Sequence, residues 1–378
     1  MLYLDNAATT AVRPEVLEAM VPFLTRTFGN PSSHHTVGEE AASALADARV
    51  RVARVIGMRP GDIVFTSGGT EANNLAVKGI SIAAALNRGA RHVVTSPIEH
   101  ESILASVDYL RRVHGFDVTA LPVDGTGTVS PVALAAALRD DTALMALGYA
   151  NNEIGTVQDA PALAAVARER RIPFHLDAVQ AAGWLPLAGT DADSLAVAGH
   201  KVGAPKGTGM LAVRSRIPLE PLLHGGGQER GRRSGTEDVA GAVGLATALE
   251  LAEAERVEDA AAVGAICTRF IQRVLALVPT ARSTGDPLHR LPGTAGFTFE
   301  GTSGEAVLLE LERRGVVSSS GSACAAGSDE PSHVLVALGI APEVAQTAVR
   351  FTLPHGLRTS LDDVADAVAA SVAAVAGM

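Results

Sequence analysis

The chain has 378 residues, 47% of them apolar and 3% aromatic, with 41 acidic against 31 basic side chains for a net charge of −10. That length exceeds an average domain and leaves ample material for a buried core, so two unequal domains are expected. The acidic balance argues against a broad phosphate-binding surface, and one Trp with three Tyr offers little for base stacking, so no direct nucleic-acid partner is expected.

Short β-branched runs alternate with Ala/Leu-rich segments of helical period from about residue 40 to 215, the pattern of a mostly parallel sheet covered on both faces. Strands are expected at 63–66, 92–95, 118–121, 144–147, 172–176, 194–197 and 209–213. Polar groups cluster just past several of these runs, where open α/β sheets bind ligands. Residues 224–236 form a glycine-rich basic loop with neither period, and its Arg230, Arg232 and Arg233 read as a solvated or subunit-contacting set. A long helix is expected from 239 to 255, running on past Val257 as a bridge. From about residue 290 the pattern turns to short strands at 296–299, 316–318 and 348–352 with a helix at 304–314. The expected division is a large α/β domain over 16–256 and a smaller α+β domain made of 1–15 and 257–378. The start, Met1 to Asp5, has no basic stretch followed by an apolar run, and the apolar tail 364–378 is interrupted by Asp366 and too short to span a bilayer. No membrane association is expected.

Lys201 follows the run 194–197 and lies 24 residues after Asp177, which ends an earlier run. A pyridoxal phosphate site needs both groups: an amine to hold the aldehyde as a Schiff base, and a carboxylate to keep the pyridine nitrogen protonated. Lys206, between Pro205 and Gly207, is a rival amine in a loop that reads as solvated. Ser67-Gly68-Gly69-Thr70 joins a strand to a helix, either as a phosphate cradle of backbone N–H groups with the Thr70 hydroxyl or as a plain capped turn. His100, just past another strand, is placed to lie on a flat cofactor ring or to serve structurally. Gln180 stands three residues after Asp177, offering an amide to the ring's phenolic oxygen, while Asp177 could simply cap a helix. Arg350, in a strand of the smaller domain, could clamp a carboxylate bidentately or be an ordinary strand arginine.

Two cysteines far apart exclude a disulfide framework or a CxxC metal site and point to a reducing, cytoplasmic compartment. Cys267 lies in an apolar helical stretch and reads as core. Cys324 lies in the Gly/Ser/Ala-rich run 318–328, either an available thiol or an incidental one. His34, His35, His175, His200 and His224 show no ligand spacing, so no metal is expected.

Together these residues resemble group I cysteine desulfurases, the NifS/IscS-like branch of the class V aminotransferase family. The likeness covers nearly the whole chain and runs through Tyr3-Leu4-Asp5-Asn6-Ala7-Ala8-Thr9-Thr10, Phe28-Gly29-Asn30-Pro31-Ser32-Ser33, Thr66 to Glu71, Asn151-Asn152-Glu153-Ile154-Gly155, His200-Lys201, Gly225 to Thr236 and Ser319 to Cys324. It implies a type I pyridoxal phosphate fold with a mostly parallel seven-stranded sheet and a smaller α+β domain. It also implies a homodimer with active sites at the subunit interface. Lys201 would carry pyridoxal 5'-phosphate, with His100 stacked on its ring, Asp177 at the pyridine nitrogen and Gln180 at the phenolic oxygen. Gly69, Thr70 and His200 would hold the phosphate with Thr236 of the other subunit, and Asn152 and Arg350 the substrate carboxylate. L-cysteine would become L-alanine, leaving a persulfide on Cys324 for a sulfur acceptor, an iron–sulfur scaffold or a tRNA thiolase.

Three departures from the family stand out. Ala198 replaces the usual Ser two residues before the His-Lys pair, so one phosphate hydrogen bond is expected to be missing and cofactor affinity lower. Pro354-His355 follows Leu353 where Gly-Arg is usual, and the tail after the last helix is short, which leaves the acceptor open. Competing readings are a pyridoxal enzyme that moves no sulfur, a selenocysteine lyase and a non-catalytic sulfur-relay protein. A nucleotide-binding oxidoreductase would need a GxGxxG fingerprint that the chain lacks.

Overall fold

The computed structural model describes residues 1–321 and 330–377. A short first strand, β1 (Leu2–Tyr3), is followed by the strands of a seven-stranded sheet: β2 (Ile63–Thr66), β3 (His92–Thr95), β4 (Asp117–Ala120), β5 (Thr142–Gly148), β6 (Phe174–Asp177), β7 (Ser194–Ala198) and β8 (Gly209–Val213). Their order is β2-β8-β7-β6-β5-β3-β4, parallel throughout except that β8 runs antiparallel to both of its neighbours. The expected strands are all present, with ends adjusted by hydrogen bonding. Pro173 has no N–H for the ladder, so β6 begins at Phe174 while the Pro173 carbonyl accepts from Met145 N at 3.0 Å. The fully buried runs of β7 and β8 explain their continuous apolar sequences.

Beyond the sheet, β9 (Ala281–Ser283), β10 (Thr294–Phe299) and β12 (Val349–Thr352) form a three-stranded antiparallel sheet, and β1 pairs in parallel with β11 (Val316–Val317). Among the described residues four hydrophobic clusters form, and the two largest serve as the cores of the large and the small sheet. One packs helices on the large sheet through residues such as Val52, Leu147, Leu176, Leu195 and Leu249, and the other gathers Leu4, Phe270, Phe297, Phe351 and Val368.

The helix Val239–Leu277 feeds both cores. It is capped at its start by the Asp238 carboxylate, which accepts from Gly241 N at 2.8 Å, and it continues unbroken for 39 residues. Its first half is buried through Leu245, Ala248 and Leu249, and its second through Val263, Cys267, Phe270 and Val274. By length and composition the second half could cross a bilayer, yet that spacing of four, three and four buries one face against the second core. Arg269 and Arg273, on the same stretch, pair with Asp362 and Asp366 of the helix Asp362–Ala376.

Candidate active site

A cavity of about 590 Å³, within the usual range for small-molecule sites, opens at the carboxyl ends of β2, β3, β5, β6 and β7. The opposite wall comes from Ala7 and Ala8 and from Arg350 of β12. The first ten residues thread between the two cores to reach this wall. Asn6 Nδ2 and Ala7 N bind Thr352 of β12, both at 2.8 Å, and Thr10 N donates to the His200 carbonyl at 2.9 Å.

Lys201 closes a single 3₁₀ turn, Gly199–Lys201, at the end of β7. Its Nζ donates to the carbonyls of Ala7 and of Ala8, the latter at 2.8 Å, and Gln180 Nε2 donates to the Ala7 carbonyl at 3.1 Å. Asp177, the last residue of β6, is 8% exposed; its Oδ1 accepts from Val179 N at 3.0 Å and its Oδ2 from Asn73 Nδ2 at 2.7 Å. His200 Nδ1 lies 3.3 Å from Thr9 Oγ1, and burial, with the Lys201 and Lys206 charges, pushes this imidazole down to about 4. Lys206 is exposed at the rim of a neighbouring depression that also includes Ser67, Thr70 and His200.

The helix Gly69–Asn74 starts right after the turn that ends β2. Glycine is required at 69 by close packing, since a Cβ there would sit 2.7 Å from Val179 Cγ2 and 3.3 Å from Ala198 Cβ. Thr70 lines the cavity next to His200, while Glu71 turns away to accept from Ser67 N at 2.8 Å and to pair with Arg233 at 2.9 Å. That pair, together with the contacts of Arg230 to the Ile63 carbonyl and Arg232 to the Gly61 carbonyl, ties the basic loop onto β2. The three arginines are therefore partnered within their own chain, not merely solvated.

His100 caps the helix Glu101–His114, its Nδ1 accepting from Ser102 N at 3.0 Å. Glu99, beside it, is 5% exposed, with Oε1 2.6 Å from Ser96 Oγ and Oε2 accepting from Gly148 N at 2.6 Å. Burial raises its pKa to about 8, and the charge of Asp177 adds to the rise; the bonds from Ser96 and Gly148 oppose it and lose.

Arg350 is 2% exposed, and its fork is partly used: Nη2 donates to Asp5 Oδ1 at 2.6 Å, and Nη1 to the carbonyls of Asn152 at 2.9 Å and Gly321 at 3.1 Å. Among the described residues its Nε is buried with no hydrogen-bond partner, a donor beside the cavity that suits an incoming carboxylate. Cys324 lies outside the described residues. The segment carrying it leaves and rejoins the described chain at the cavity, because Gly321 binds Arg350 and Glu330 lines the wall.

Of the residues singled out from sequence, Gly69, Thr70, His100, Asn152, Asp177, Gln180, His200, Lys201 and Arg350 share this one cavity. Thr236 does not line it and is exposed. Cys267 is core, its thiol pushed up to about 12 by burial. His35 caps the helix Thr36–Ile56 through Nδ1, His175 is wholly buried, and His224 is exposed. Sequence reading missed Asn73, Glu99, Ser102 and Asp5. Two spacings could have drawn attention to the interior: Asn73 stands one helical turn after Gly69, and His175 shares a strand face with Asp177.

The model of the Aminotransferase class-V family matches residues 2–364. The curated protein "Cysteine desulfurase IscS" of Dictyoglomus turgidum is 44% identical over 365 residues, covering 96% of this chain and 91% of that protein. A solved structure described as a NifS-like protein superposes with a TM-score of 0.89 at 33% identity, covering 100% of this chain and 99% of that one. Another, described as SspA in complex with cysteine, gives 0.82 at 37% identity over 94% of this chain and 99% of that one.

Proposed function

This chain belongs to the class-V aminotransferase family, and on that premise we propose that it is a pyridoxal phosphate-dependent cysteine desulfurase, converting L-cysteine to L-alanine and leaving the sulfur on Cys324 as a persulfide. One observation carries the reading: Lys201, Asp177 and Arg350 line a single cavity, with Glu330, just after the Cys324 segment, in its wall and Gly321, just before it, bound to Arg350.

The donor set fits the cofactor in chemistry, with a primary amine, a carboxylate, an amide, an imidazole and a hydroxyl in one small-molecule-sized space. When bound, pyridoxal phosphate supplies an electron sink that makes the Cα proton of an amino acid removable. Lys201 would hold the cofactor and then carry the proton to and from Cα. Asp177 would keep a proton on the pyridine nitrogen, Gln180 would donate its amide to the phenolic oxygen, and His100 would cover the ring. Gly69, Thr70 and His200 would receive the phosphate.

The substrate carboxylate takes Arg350 and Asn152, supported by an Nε with no partner among the described residues. Cys324 attacks the substrate sulfur as thiolate, forming an S–S bond as the C–S bond breaks. The electron pair of that bond stays with carbon, which is protonated to the methyl group of alanine. The persulfide then passes to an acceptor, an iron–sulfur scaffold or a tRNA thiolase. A reducing cytoplasm suits a free thiol of this kind.

A homodimer completes the site in this reading. Thr236 is exposed and absent from its own cavity, and Leu17, Val21 and Leu24 of the helix Pro14–Thr25, with Phe28, leave an apolar row uncovered. The division into domains 16–256 and 1–15 with 257–378 has its support in the two cores.

The test compares the purified protein with Cys324→Ala for alanine and sulfide formed from L-cysteine under reductant, following the visible cofactor band of each. Desulfuration through Cys324 requires turnover in the first only, with the band kept in both. Equal turnover in both would refute the persulfide on Cys324, and turnover of a different amino acid in place of L-cysteine would make it a pyridoxal enzyme that moves no sulfur.

A further inference from the structure

Asn73 is 1% exposed and sits where three elements meet behind the cavity. Its Nδ2 donates one hydrogen to Asp177 Oδ2 at 2.7 Å and the other to Ser102 Oγ at 2.8 Å, while its Oδ1 lies 3.0 Å from His175 Nε2. The amide cannot be turned over, because Oδ1 would then face a carboxylate oxygen at hydrogen-bond distance, two acceptors with no proton between them. With Oδ1 facing the imidazole, His175 carries its hydrogen on Nε2. Its Nδ1, 3.0 Å from Ser194 Oγ, therefore accepts from that hydroxyl. Burial keeps this imidazole neutral, pushing it down to about 3.

The other limb is equally directional. Ser102 Oγ, having accepted from Asn73, turns its own hydrogen to His100 Nδ1, 2.8 Å away, and Ser102 N–H points at the same nitrogen from 3.0 Å. A ring nitrogen receiving two donors carries no hydrogen of its own, so the neutral His100 holds its hydrogen on Nε2.

We propose that Asn73 is a positioning residue whose single amide, oriented by His175, sets the Asp177 carboxylate and, through Ser102, the hydrogen-bonding polarity of His100. The group that holds charge on the cofactor ring and the group that covers it thus share one support, and neither is oriented independently. The inference rests on the pyridoxal phosphate reading above.

The experiment uses holoenzyme labelled with ¹⁵N-histidine, and compares wild type, Asn73→Ala, Ser102→Ala and Lys201→Ala. Three quantities are read: long-range ¹H–¹⁵N histidine spectra, the pH titration of the visible cofactor band, and kcat with KM for alanine formation. Melting temperature serves as the control for folding. The wild-type spectra should show His100 and His175 protonated on Nε2. Asn73→Ala should move the His100 Nδ1 resonance, shift the band's titration midpoint upward by roughly 0.5 pH unit or more, the size of one ordinary net hydrogen bond, and lower kcat about tenfold with KM little changed. Ser102→Ala should move only the His100 resonance and leave the midpoint in place. That second variant tests the branching even if Asn73→Ala does not fold. A lowered melting temperature with unchanged spectra and midpoint in both variants, or a wild-type His100 protonated on Nδ1, would overturn the proposal. If Lys201→Ala keeps the wild-type band, the cofactor reading fails instead; if it loses the band while the other two change nothing, only this inference fails.

Discussion

Glu99→Gln isolates a carboxyl that the fold keeps protonated at neutral pH. Its ordinary pKa of 4.5 becomes about 8 in the folded protein, so ionising it there costs roughly 5 kcal/mol more than in the unfolded chain. A carboxyl raised in this way gives the folded state one more proton than the unfolded state between those two values, so stability falls as pH rises through that window, at about 1.4 kcal/mol per pH unit. From pH 5.5 to 7.5 the loss attributable to Glu99 is about 3 kcal/mol. Glutamine keeps the shape and both bonds, its oxygen accepting from Gly148 N and its amide donating to Ser96 Oγ, but it cannot ionise. His175, His200 and His355, pushed down to about 3, 4 and 4, have the opposite sign, losing stability as pH falls below their unfolded range; they are common to both proteins and cancel in the difference. Urea unfolding of both holoenzymes at the two pH values should therefore show the variant gaining about 3 kcal/mol on wild type as pH rises. A difference in stability that stays constant with pH would mean that Glu99 is ionised in the folded protein, and the burial argument would be refuted.

Three further outcomes follow from close contacts and exposed faces. Gly69→Ala forces a Cβ to 2.7 Å from Val179 Cγ2 and should destabilise the protein by roughly 1–3 kcal/mol in thermal melts while weakening cofactor retention. Ala198→Ser, which restores a hydroxyl at a buried cavity position, should slow cofactor loss on dialysis about tenfold, the value of one charge-assisted hydrogen bond; an unchanged rate would remove Ala198 from the phosphate end. Leu24→Glu places a charge in the uncovered apolar row, and sedimentation should then show a shift from dimer toward monomer.

Much of the large sheet was legible because strands buried on both faces read as short continuous apolar runs. The polar residues that end them, Asp177 and the Lys201 turn, sit where such sheets bind ligands. The antiparallel course of β8 was not legible, since Gly209 to Val213 carries no mark of direction. The small sheet pairs strands as distant as Ala295 and Phe351, a register set only by packing. Residues that contact an expected ligand declared themselves by type and position. Of those that hold them, Asn73 behind Asp177 and Asp5 against Arg350 did not, because each of these two acts on a partner more than a hundred residues away.

Residues 5–10 supply no expected catalytic group, yet the carbonyls of Ala7 and Ala8 receive Lys201, that of Ala7 also receives Gln180, and Asp5 engages Arg350. A protease that trimmed the first eight residues would spare nearly all of both cores and the whole large sheet while removing the carbonyls that receive Lys201 and Gln180 and the carboxylate that pairs with Arg350. Such a nicked protein should keep its melting transition and lose its colour. Bulky tags are accordingly better tolerated on the exposed final turn of the helix Asp362–Ala376 than ahead of Met1.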